Sequence, residues 1–198
     1  MFYDLKNPNK FLIDIKKILD KNGIFILEHA DLLSILKNNL FDSICHEHLE
    51  YYSSKIILDI MNKNKLRVFD IQKNNVNGGS TRYYISHDKS KFLTESKVLN
   101  KLIKEEKKYK LDSVKTFKMF EKNLIKKKKI IMNFITRQKN QKKIIHGYGA
   151  STKGNVLLQY LNITNKHIDL IADRNPQKFN KFTPGTKIKI TSENYSRK

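Results

Sequence analysis

The segment KIIHGYGASTKGNVLLQYL, residues 143–161, constrains the fold more than any other part of the chain. A short apolar run leads into a turn that carries three glycines, and an apolar helical pattern follows. HIDLIADRNP then supplies a second apolar run that ends at Asp173. Strand, glycine-bearing turn, helix and strand form the opening βαβ unit of a nucleotide-binding type of domain. The sequence therefore predicts an incomplete Rossmann-like C-terminal domain over residues 144–198.

The glycines of this turn have two explanations. Gly147, Gly149 and Gly154 let the backbone turn tightly and approach a phosphate, and a helix N-terminus offers free N–H groups. Lys153 could add a positive charge, and Asp173 lies near the place where an acid would bind a ribose. The spacing departs from GxGxxG, however, and glycines that serve only the strand-to-helix turn explain the pattern equally well. The residues alone leave both interpretations open.

The first part of the chain also predicts an α/β arrangement. From Pro8 the apolar residues have helical spacing up to a stop at Gly23. The next five residues, IFILE at 24–28, predict a buried strand of a parallel sheet. A short helix is predicted over 31–37, and Ser53 is placed to cap a further helix.

Two strands, KLRVFDIQ and STRYYISH, are predicted to form a hairpin around the turn at 77–79, where Asn and Gly favour tight turning. Lysine-rich residues 89–143 carry apolar side chains at helical spacing, which predicts one or two long amphipathic helices that connect two lobes. The predicted organisation is an N-terminal domain over 1–88, a helical connector over 89–143 and a C-terminal domain over 144–198.

The segment FDSICHEHLEYYS, residues 41–53, has no periodicity and is predicted to be a loop. His46 and His48 could both reach a zinc ion, but no third Cys or His at a recognised spacing completes such a site. A general base needs only one imidazole, and Glu47 or Glu50 could orient it. An ordinary surface loop fits as well. The residues predict no metal site and leave the general base and the surface loop open.

Charge and cysteine content limit the function classes. Lys plus Arg number 40 and Asp plus Glu number 19, so the formal net charge is +21. The excess is almost entirely lysine, whereas nucleic-acid readers rely on arginine, so nucleic acid is not the favoured partner. The single cysteine, Cys45, excludes a disulfide framework within the chain. No apolar run approaches the ~20 residues of a membrane span. We expect a cytoplasmic protein with no membrane partner.

Four segments of the chain, in this order, resemble the sugar C-methyltransferase family: FDSICHEHLEYYS, NVNGGSTRYYI, GYGASTKGNVLLQYL and DRNPQKFNKFTPGTKIKI. Members of this family use S-adenosylmethionine to methylate a carbon of nucleotide-linked deoxysugars. The resemblance implies an α/β fold that contains part of a class I methyltransferase-like Rossmann lobe, a helical connector and the opening of a second Rossmann-like lobe.

The resemblance also implies roles for individual residues. His48 takes the place of the general base, with Glu47 beside it, and the base removes a proton from the carbon next to a keto group. The enolate then attacks the methyl group of S-adenosylmethionine. The residues implied in substrate binding lie on the hairpin and on the glycine turn: Asn77, Gly78, Gly79, Ser80, Arg82, Gly147, Gly149, Lys153 and Asn155.

Family members carry a cysteine-rich zinc segment and a glycine loop for S-adenosylmethionine ahead of the part that this chain resembles. No G-x-G precedes residue 147 here, so the resemblance implies a fragment truncated at both ends, and a separate polypeptide could supply the half that binds the cofactor. The first alternative is a catalytically inactive remnant that binds a nucleotide or substrate. The second is a lysine-rich nucleic-acid-binding protein.

Overall fold

The computed structural model describes residues 2–197, which form two compact units. Unit 1 comprises the described residues up to Leu40 together with His46–Phe120. Unit 2 comprises Phe41–Cys45 and the described residues from Glu121 onward. The segment around the two histidines is therefore divided between the units at residue 45.

The described residues form a mixed α/β structure, which confirms the predicted class. The α-helices are α1 (Pro8–Ile18), α2 (Leu32–Asn38), α3 (Ser54–Lys63), α4 (Ser96–Tyr109), α5 (Val114–Asn140), α6 (Thr152–Leu161) and α7 (Glu193–Ser196). The strands are β1 (Phe25–Ala30), β2 (Leu66–Asn74), β3 (Ser80–His87), β4 (His146–Tyr148), β5 (Leu170–Asp173) and β6 (Lys189–Ser192). Short 3₁₀ turns cover Phe2–Asp4, Phe41–Ser43, Val76–Gly78 and Pro176–Lys178.

The sheet of unit 1 has the strand order β1-β3-β2, and both neighbouring pairs are antiparallel. The predicted hairpin of β2 and β3 is confirmed. The parallel arrangement predicted for β1 is wrong for the described strands, because β1 pairs with β3, with Leu27 opposite Tyr83. Burial along β1 alternates, so that Leu27 is buried while Ile26 is 54% exposed. One face of this sheet therefore supplies the core, as an antiparallel sheet allows.

Helix starts in unit 1 follow the capping residues of the sequence. Ser53 accepts a hydrogen bond from the Ile56 backbone N–H at 3.3 Å, which confirms its role as the N-cap of α3.

The predicted stop of α1 at Gly23 is five residues too late, since α1 ends at Ile18. Asp20 accepts from the Asn22 backbone N–H at 2.8 Å and so closes a turn before the glycine. An Asp side chain that bonds the backbone in this way favours a turn over a helix.

A buried carboxylate joins α4 to the start of α3. Glu106 is 4% exposed, and its two oxygens accept hydrogen bonds from the backbone N–H groups of Ser54 at 2.6 Å and Lys55 at 3.1 Å. These N–H groups have no partner inside the helix, and the positive end of the helix dipole favours the negative charge. On the same helix Leu102 enters the core of unit 1. Glu106 and Leu102 together fix α4 to unit 1.

The predicted helical segment 89–143 contains two helices, α4 and α5, as its apolar spacing indicates. The boundary between the units falls within α5, between Phe120 and Glu121. No helix among residues 2–197 is both long and apolar enough to cross a membrane.

The sheet of unit 2 has the order β4-β5-β6, and its pairs are parallel, so the βαβ connection β4-α6-β5 agrees with the prediction. Its core contains Leu161, Ile171 and Ile188. Within the predicted short apolar strand, β4 covers His146–Tyr148. The preceding Ile145 donates its backbone N–H to the Asp169 side chain at 2.8 Å, which takes that donor out of any strand pairing.

We expect Glu106→Ala to lower the free energy of unfolding of unit 1 by about 1–3 kcal/mol, because two buried N–H groups lose their acceptor. The change can be measured by urea denaturation. Glu105→Ala is the matched control, since Glu105 is the preceding residue and its side chain is 40% exposed in its pairs with Lys37 and Lys73. An exposed pair contributes about 0–1 kcal/mol. Equal losses in the two variants would contradict the assignment.

Candidate active site

The segment with the two histidines is a turn at 46–47 followed by residues without regular secondary structure, which agrees with the predicted loop. His46 and Glu47 are exposed on the turn, and His48 is half-buried. The His48 ring lies 4.2 Å from the Tyr3 ring between centroids, tilted by 56°, and 6.3 Å from the Tyr51 ring. The imidazole of His48 is therefore held between aromatic rings, unlike that of a histidine on an open surface.

The N-terminal turn Phe2–Asp4 contacts this segment through hydrogen bonds and ring packing. The carbonyl oxygen of Tyr3 accepts hydrogen bonds from the backbone N–H groups of Leu49 at 2.9 Å and Glu50 at 3.2 Å. Phe2 is 1% exposed and its ring lies 5.3 Å from the Tyr52 ring. The turn is thus anchored in the core on one side and bonded to the two residues after His48 on the other.

His29, at the end of β1, is a site residue that sequence reasoning missed. It is 4% exposed, and its Nδ1–H donates to the Ala30 carbonyl at 2.9 Å. This bond fixes the tautomer and leaves Nε2 as an acceptor, for which the described residues supply no donor. Its ring lies 6.2 Å from Tyr3 and is stacked at 5.6 Å on Tyr83. Burial lowers the pKa of His29, so the imidazole is neutral near pH 7.

A cavity of about 500 Å³ in unit 1 shares a wall with this cluster. Tyr51, which contacts the His48 ring, also lines the cavity. The other lining residues are four apolar ones and five polar or charged ones: Leu32, Ile56, Ile103 and Leu111, and Ser53, Lys55, Glu106, Lys107 and Asp112. A volume of this size lies within the range of small-molecule sites in proteins, about 300–1,000 Å³.

Asp31 joins the end of β1 to helix α2 and to the hairpin. It is fully buried and accepts three hydrogen bonds of 2.9 Å, from the Ser34 backbone N–H, the Ser34 hydroxyl and the Thr81 hydroxyl. A buried charge of this kind is stable only when it is well hydrogen-bonded. Asp31 is therefore a structural acid that fixes α2 to β3.

The hairpin glycines serve the packing of α2. Gly78 and Gly79 have positive φ angles of 86° and 139°, and a Cβ atom added at Gly79 would lie 2.7 Å from the Cβ atom of Ser34. Asn38 donates from Nδ2 to the Gly78 carbonyl at 2.8 Å. Asn77 also has a positive φ, of 55°. Close approach and backbone conformation explain this Asn-Gly-Gly run without a ligand.

Arg82 and Ser80 follow on β3. The Nε–H of Arg82 donates to Glu28 at 2.6 Å, and Asn74 donates to the other oxygen of Glu28 at 2.9 Å. The hydrogen bond from Asn74, and then the one from Arg82, lower the pKa of Glu28. Ser80 is buried, and its hydroxyl donates to the Val76 carbonyl at 2.9 Å. Since a guanidinium has five N–H donors, the pair with Glu28 orients Arg82 and leaves donors for an anionic group.

The glycine turn of unit 2 is likewise built by its glycines. Gly149 has a φ of 88°. A Cβ atom added at Gly147 would lie 3.0 Å from Ile171, and one added at Gly154 would lie 3.0 Å from the Gly149 carbonyl oxygen. These contacts support the interpretation in which the glycines serve the turn.

Two polar residues on α6, Lys153 and Asn155, are half-buried. The Oδ1 atom of Asn155 is buried and has no hydrogen-bond partner among the described residues. Buried side-chain acceptors in proteins are usually hydrogen-bonded. Asn155 is therefore the member of this turn with an unused polar atom.

Asp173 is bonded to the turn itself. Its oxygens accept from the backbone N–H groups of Ala150 and Asn175, both at 2.8 Å, and from Lys178 at 3.2 Å. Burial raises the pKa of Asp173, but these three hydrogen bonds outweigh burial, so the pKa lies below its ordinary value. The position of this acid is explained by the turn without a ribose.

The structure divides the expected site residues between the units. His48, Glu47 and the hairpin residues lie in unit 1, and the glycine turn, Lys153 and Asn155 lie in unit 2. Among residues 2–197, no group of three His, Cys, Asp or Glu side chains is arranged to hold a metal ion.

Comparison with known proteins identifies the family of this chain. Residues 75–198 match the family model of the C-methyltransferase C-terminal domain. The chain belongs to this C-methyltransferase family. It is also 27% identical, over 191 residues, to the C-methyltransferase NovU of Streptomyces niveus. That alignment covers 96% of this chain and 45% of NovU, so the chain spans less than half the length of this relative.

We expect the stability of unit 1 to fall as the pH drops below about 6.5, the ordinary pKa of histidine. Since burial lowers the pKa of His29 in the folded state, the unfolded chain binds this proton at a higher pH, and protonation favours unfolding. The stabilising contribution is complete above about pH 6.5 and is lost as the pH falls towards the lowered pKa. His29→Phe should remove this part of the pH dependence.

Urea denaturation at pH 7.5 and pH 5.0 measures how much the free energy of unfolding changes with pH in each variant. His146→Phe is a control because His146 is exposed. An unchanged pH dependence in His29→Phe would contradict the neutral, buried state of His29.

We expect Gly79→Ala to destabilise unit 1 by about 1–3 kcal/mol or more, because an L residue is strained at this φ and the new Cβ meets Ser34. Gly149→Ala in unit 2 is the comparison, since its φ is also positive but nothing lies within 4 Å of the added atom. The loss caused by Gly79→Ala should be smaller in a Ser34→Gly background than in the wild-type background, which a double-mutant cycle measures. Equal losses in the two backgrounds would argue against the contact with Ser34.

Proposed function

We propose that this chain is the acceptor-binding and proton-removing part of an S-adenosylmethionine-dependent C-methyltransferase. Its acceptor is a nucleotide-linked keto-deoxysugar, and His48 is the general base with Glu47 beside it. The observation that carries the proposal is the fixed position of His48 in a chain of this family: its ring lies against Tyr3, and the next two residues are bonded to the Tyr3 carbonyl.

The chemistry explains why an imidazole suits this position. A carbon next to a keto group can lose a proton because the resulting enolate spreads its negative charge onto the oxygen. His48 would accept that proton, since histidine is the side chain that most often serves as a general base in enzymes. Glu47 is exposed on the same turn and would offset the positive charge that His48 gains. The enolate is the carbon nucleophile that methylation requires.

The cavity beside Tyr51 is the proposed place for the sugar ring, because Tyr51 links it to His48. The hairpin residues Asn77, Gly78, Gly79, Ser80 and Arg82 are implied in binding the nucleotide-linked part of the acceptor, and we propose that the first four act by shaping the turn before Arg82. Among them Arg82 is the residue suited to a phosphate oxygen, because Glu28 already orients its guanidinium.

For unit 2 by itself, we propose that Gly147, Gly149, Lys153 and Asn155 bind a nucleotide or another substrate group. The space beside Gly149 is open, since nothing lies within 4 Å of a Cβ atom added there. Lys153 supplies a positive charge, and the unpartnered Oδ1 of Asn155 is an acceptor for a hydroxyl or amide donor.

Membership of the family implies S-adenosylmethionine as the methyl donor. The described residues of unit 1 do not fit this group. Their glycines lie after α1 and in the hairpin, where Gly78 and Gly79 are packed against α2, and Asp31 at the end of β1 is already hydrogen-bonded. We therefore propose that the described residues of unit 1 bind the acceptor and remove its proton, and that residues outside this unit hold the methyl donor.

The proton-removing step can be tested without any methyl donor. When the chain is incubated in D₂O with a nucleoside-diphosphate-linked keto-deoxysugar, the carbon next to the keto group should gain deuterium, because the enolate is reprotonated from solvent. Mass spectrometry of the recovered sugar measures the gain. His48→Gln should reduce the exchange rate by about 10²–10⁴-fold, the range for loss of a general base.

His46→Gln is the matched control, since His46 is an exposed histidine two residues away. Exchange that is equal in the wild type and in His48→Gln would refute the role of His48. Saturable binding of the sugar with no exchange in the wild type would instead favour the inactive binding remnant.

A further inference from the structure

We propose that Tyr3 is the positioning residue for His48: its ring and its carbonyl oxygen together fix the orientation of the imidazole. This inference rests on the proposed function for its catalytic meaning, whereas the orientation itself can be measured on the chain alone. The ring contact and the backbone contact come from the same residue, and that combination carries the inference.

The backbone contact fixes the chain on the C-terminal side of His48. The Tyr3 carbonyl accepts from Leu49 at 2.9 Å and from Glu50 at 3.2 Å, which holds two successive peptide groups against one oxygen. Leu49 and Glu50 are themselves exposed, so packing of their side chains does little to hold the segment. The position of the His48 backbone therefore depends on the turn Phe2–Asp4.

The ring contact restricts the His48 side chain. At 4.2 Å between centroids, the Tyr3 ring lies in van der Waals contact with the imidazole, and the tilt of 56° is typical of rings that avoid a face-to-face arrangement. Tyr51 bounds the imidazole at 6.3 Å. With neighbours of this size, rotation of the imidazole about its side-chain bonds is limited.

The Tyr3 ring is supported in turn by a rigid group. His29 lies 6.2 Å from it with an interplanar angle of 83°, and His29 is buried, bonded to Ala30 and stacked on Tyr83. Phe2, the residue before Tyr3, is in the hydrophobic core. Tyr3 therefore connects the buried end of β1 to the half-buried imidazole of His48.

Fixed orientation matters for proton removal because the reacting atoms must be aligned. A displacement of about 1 Å can cost about 10²-fold in rate. Tyr3→Phe keeps both the ring that contacts His48 and the carbonyl oxygen that bonds Leu49 and Glu50. Tyr3→Leu keeps the carbonyl and removes the ring.

The direct experiment is NMR of the chain with isotope-labelled histidine, in the wild type, Tyr3→Phe and Tyr3→Leu. His48→Gln identifies the His48 signals. In the wild type the His48 ring protons should be displaced by the ring current of Tyr3 and should show cross-relaxation with the Tyr3 ring. Tyr3→Phe should retain the displacement, and Tyr3→Leu should lose it.

Tyr195→Leu is the control for loss of a tyrosine ring elsewhere, since Tyr195 is 63% exposed in unit 2. The signals of the other histidines report whether each variant is folded. If Tyr3→Leu is unfolded, the wild-type cross-relaxation decides the matter alone. Absence of that cross-relaxation, or unchanged His48 signals in a folded Tyr3→Leu, would overturn the proposal.

The deuterium exchange assay gives the kinetic counterpart. Tyr3→Leu should lower the limiting exchange rate by about 10–10²-fold with little change in the sugar concentration for half-maximal rate, and Tyr3→Phe should restore the rate. If the wild type shows no exchange, the proposed function fails, while the NMR result still decides the orientation of His48. Equal rates in Tyr3→Leu and wild type would show that Tyr3 does not position the base.

Discussion

The candidate site depends on one backbone contact, the acceptance of two successive N–H groups by the carbonyl oxygen of Tyr3. The residues that follow the histidines contribute little to the core until Tyr52, which is 6% exposed. A loop of this kind would ordinarily sample many conformations. The turn Phe2–Asp4 prevents this, because Phe2 anchors it in the core while its carbonyl and its tyrosine ring hold the loop. Local order at His48 is therefore imposed by residues some 45 positions earlier in the chain.

Two buried carboxylates extend this order through unit 1. Asp31 caps α2 and binds Thr81 of the hairpin, and Glu106 binds the first N–H groups of α3. Each places a negative charge at the positive end of a helix, where the free N–H groups offset the cost of burial. The first contact fixes α2 to the hairpin, and the second fixes α4 to α3; residues of α2, α3 and α4 line the cavity that Tyr51 borders.

Local signals in the sequence predicted the elements well where one residue decides the structure. Ser53 caps α3, the hairpin forms where Asn and Gly permit its turn, and the glycine turn starts α6. The pairing between distant strands was harder to predict from the sequence. The apolar run of β1 suggested a parallel strand, but its direction relative to β3 depends on a partner more than fifty residues away.

The site was predictable only in part. The resemblance singled out His48, but no local pattern connects Tyr3 or His29 to it, since both reach the site through tertiary contacts. For Asp173 the sequence pattern suggested a ligand contact that the structure does not require. Asp173 has the spacing of a ribose-binding residue, but its oxygens are bonded to the turn. Spacing predicts where a carboxylate lies along the chain and leaves open which donors reach it.

We propose that His48 generates the carbon nucleophile in a C-methylation. The measurement is the transfer of an isotope-labelled methyl group from S-adenosylmethionine to a nucleotide-linked keto-deoxysugar, with this chain and a polypeptide that binds S-adenosylmethionine present together. We expect label on the carbon next to the keto group, and loss of that label when His48→Gln replaces the wild-type chain. Label that appears at the same rate with His48→Gln, or that appears on oxygen, would refute the role of His48.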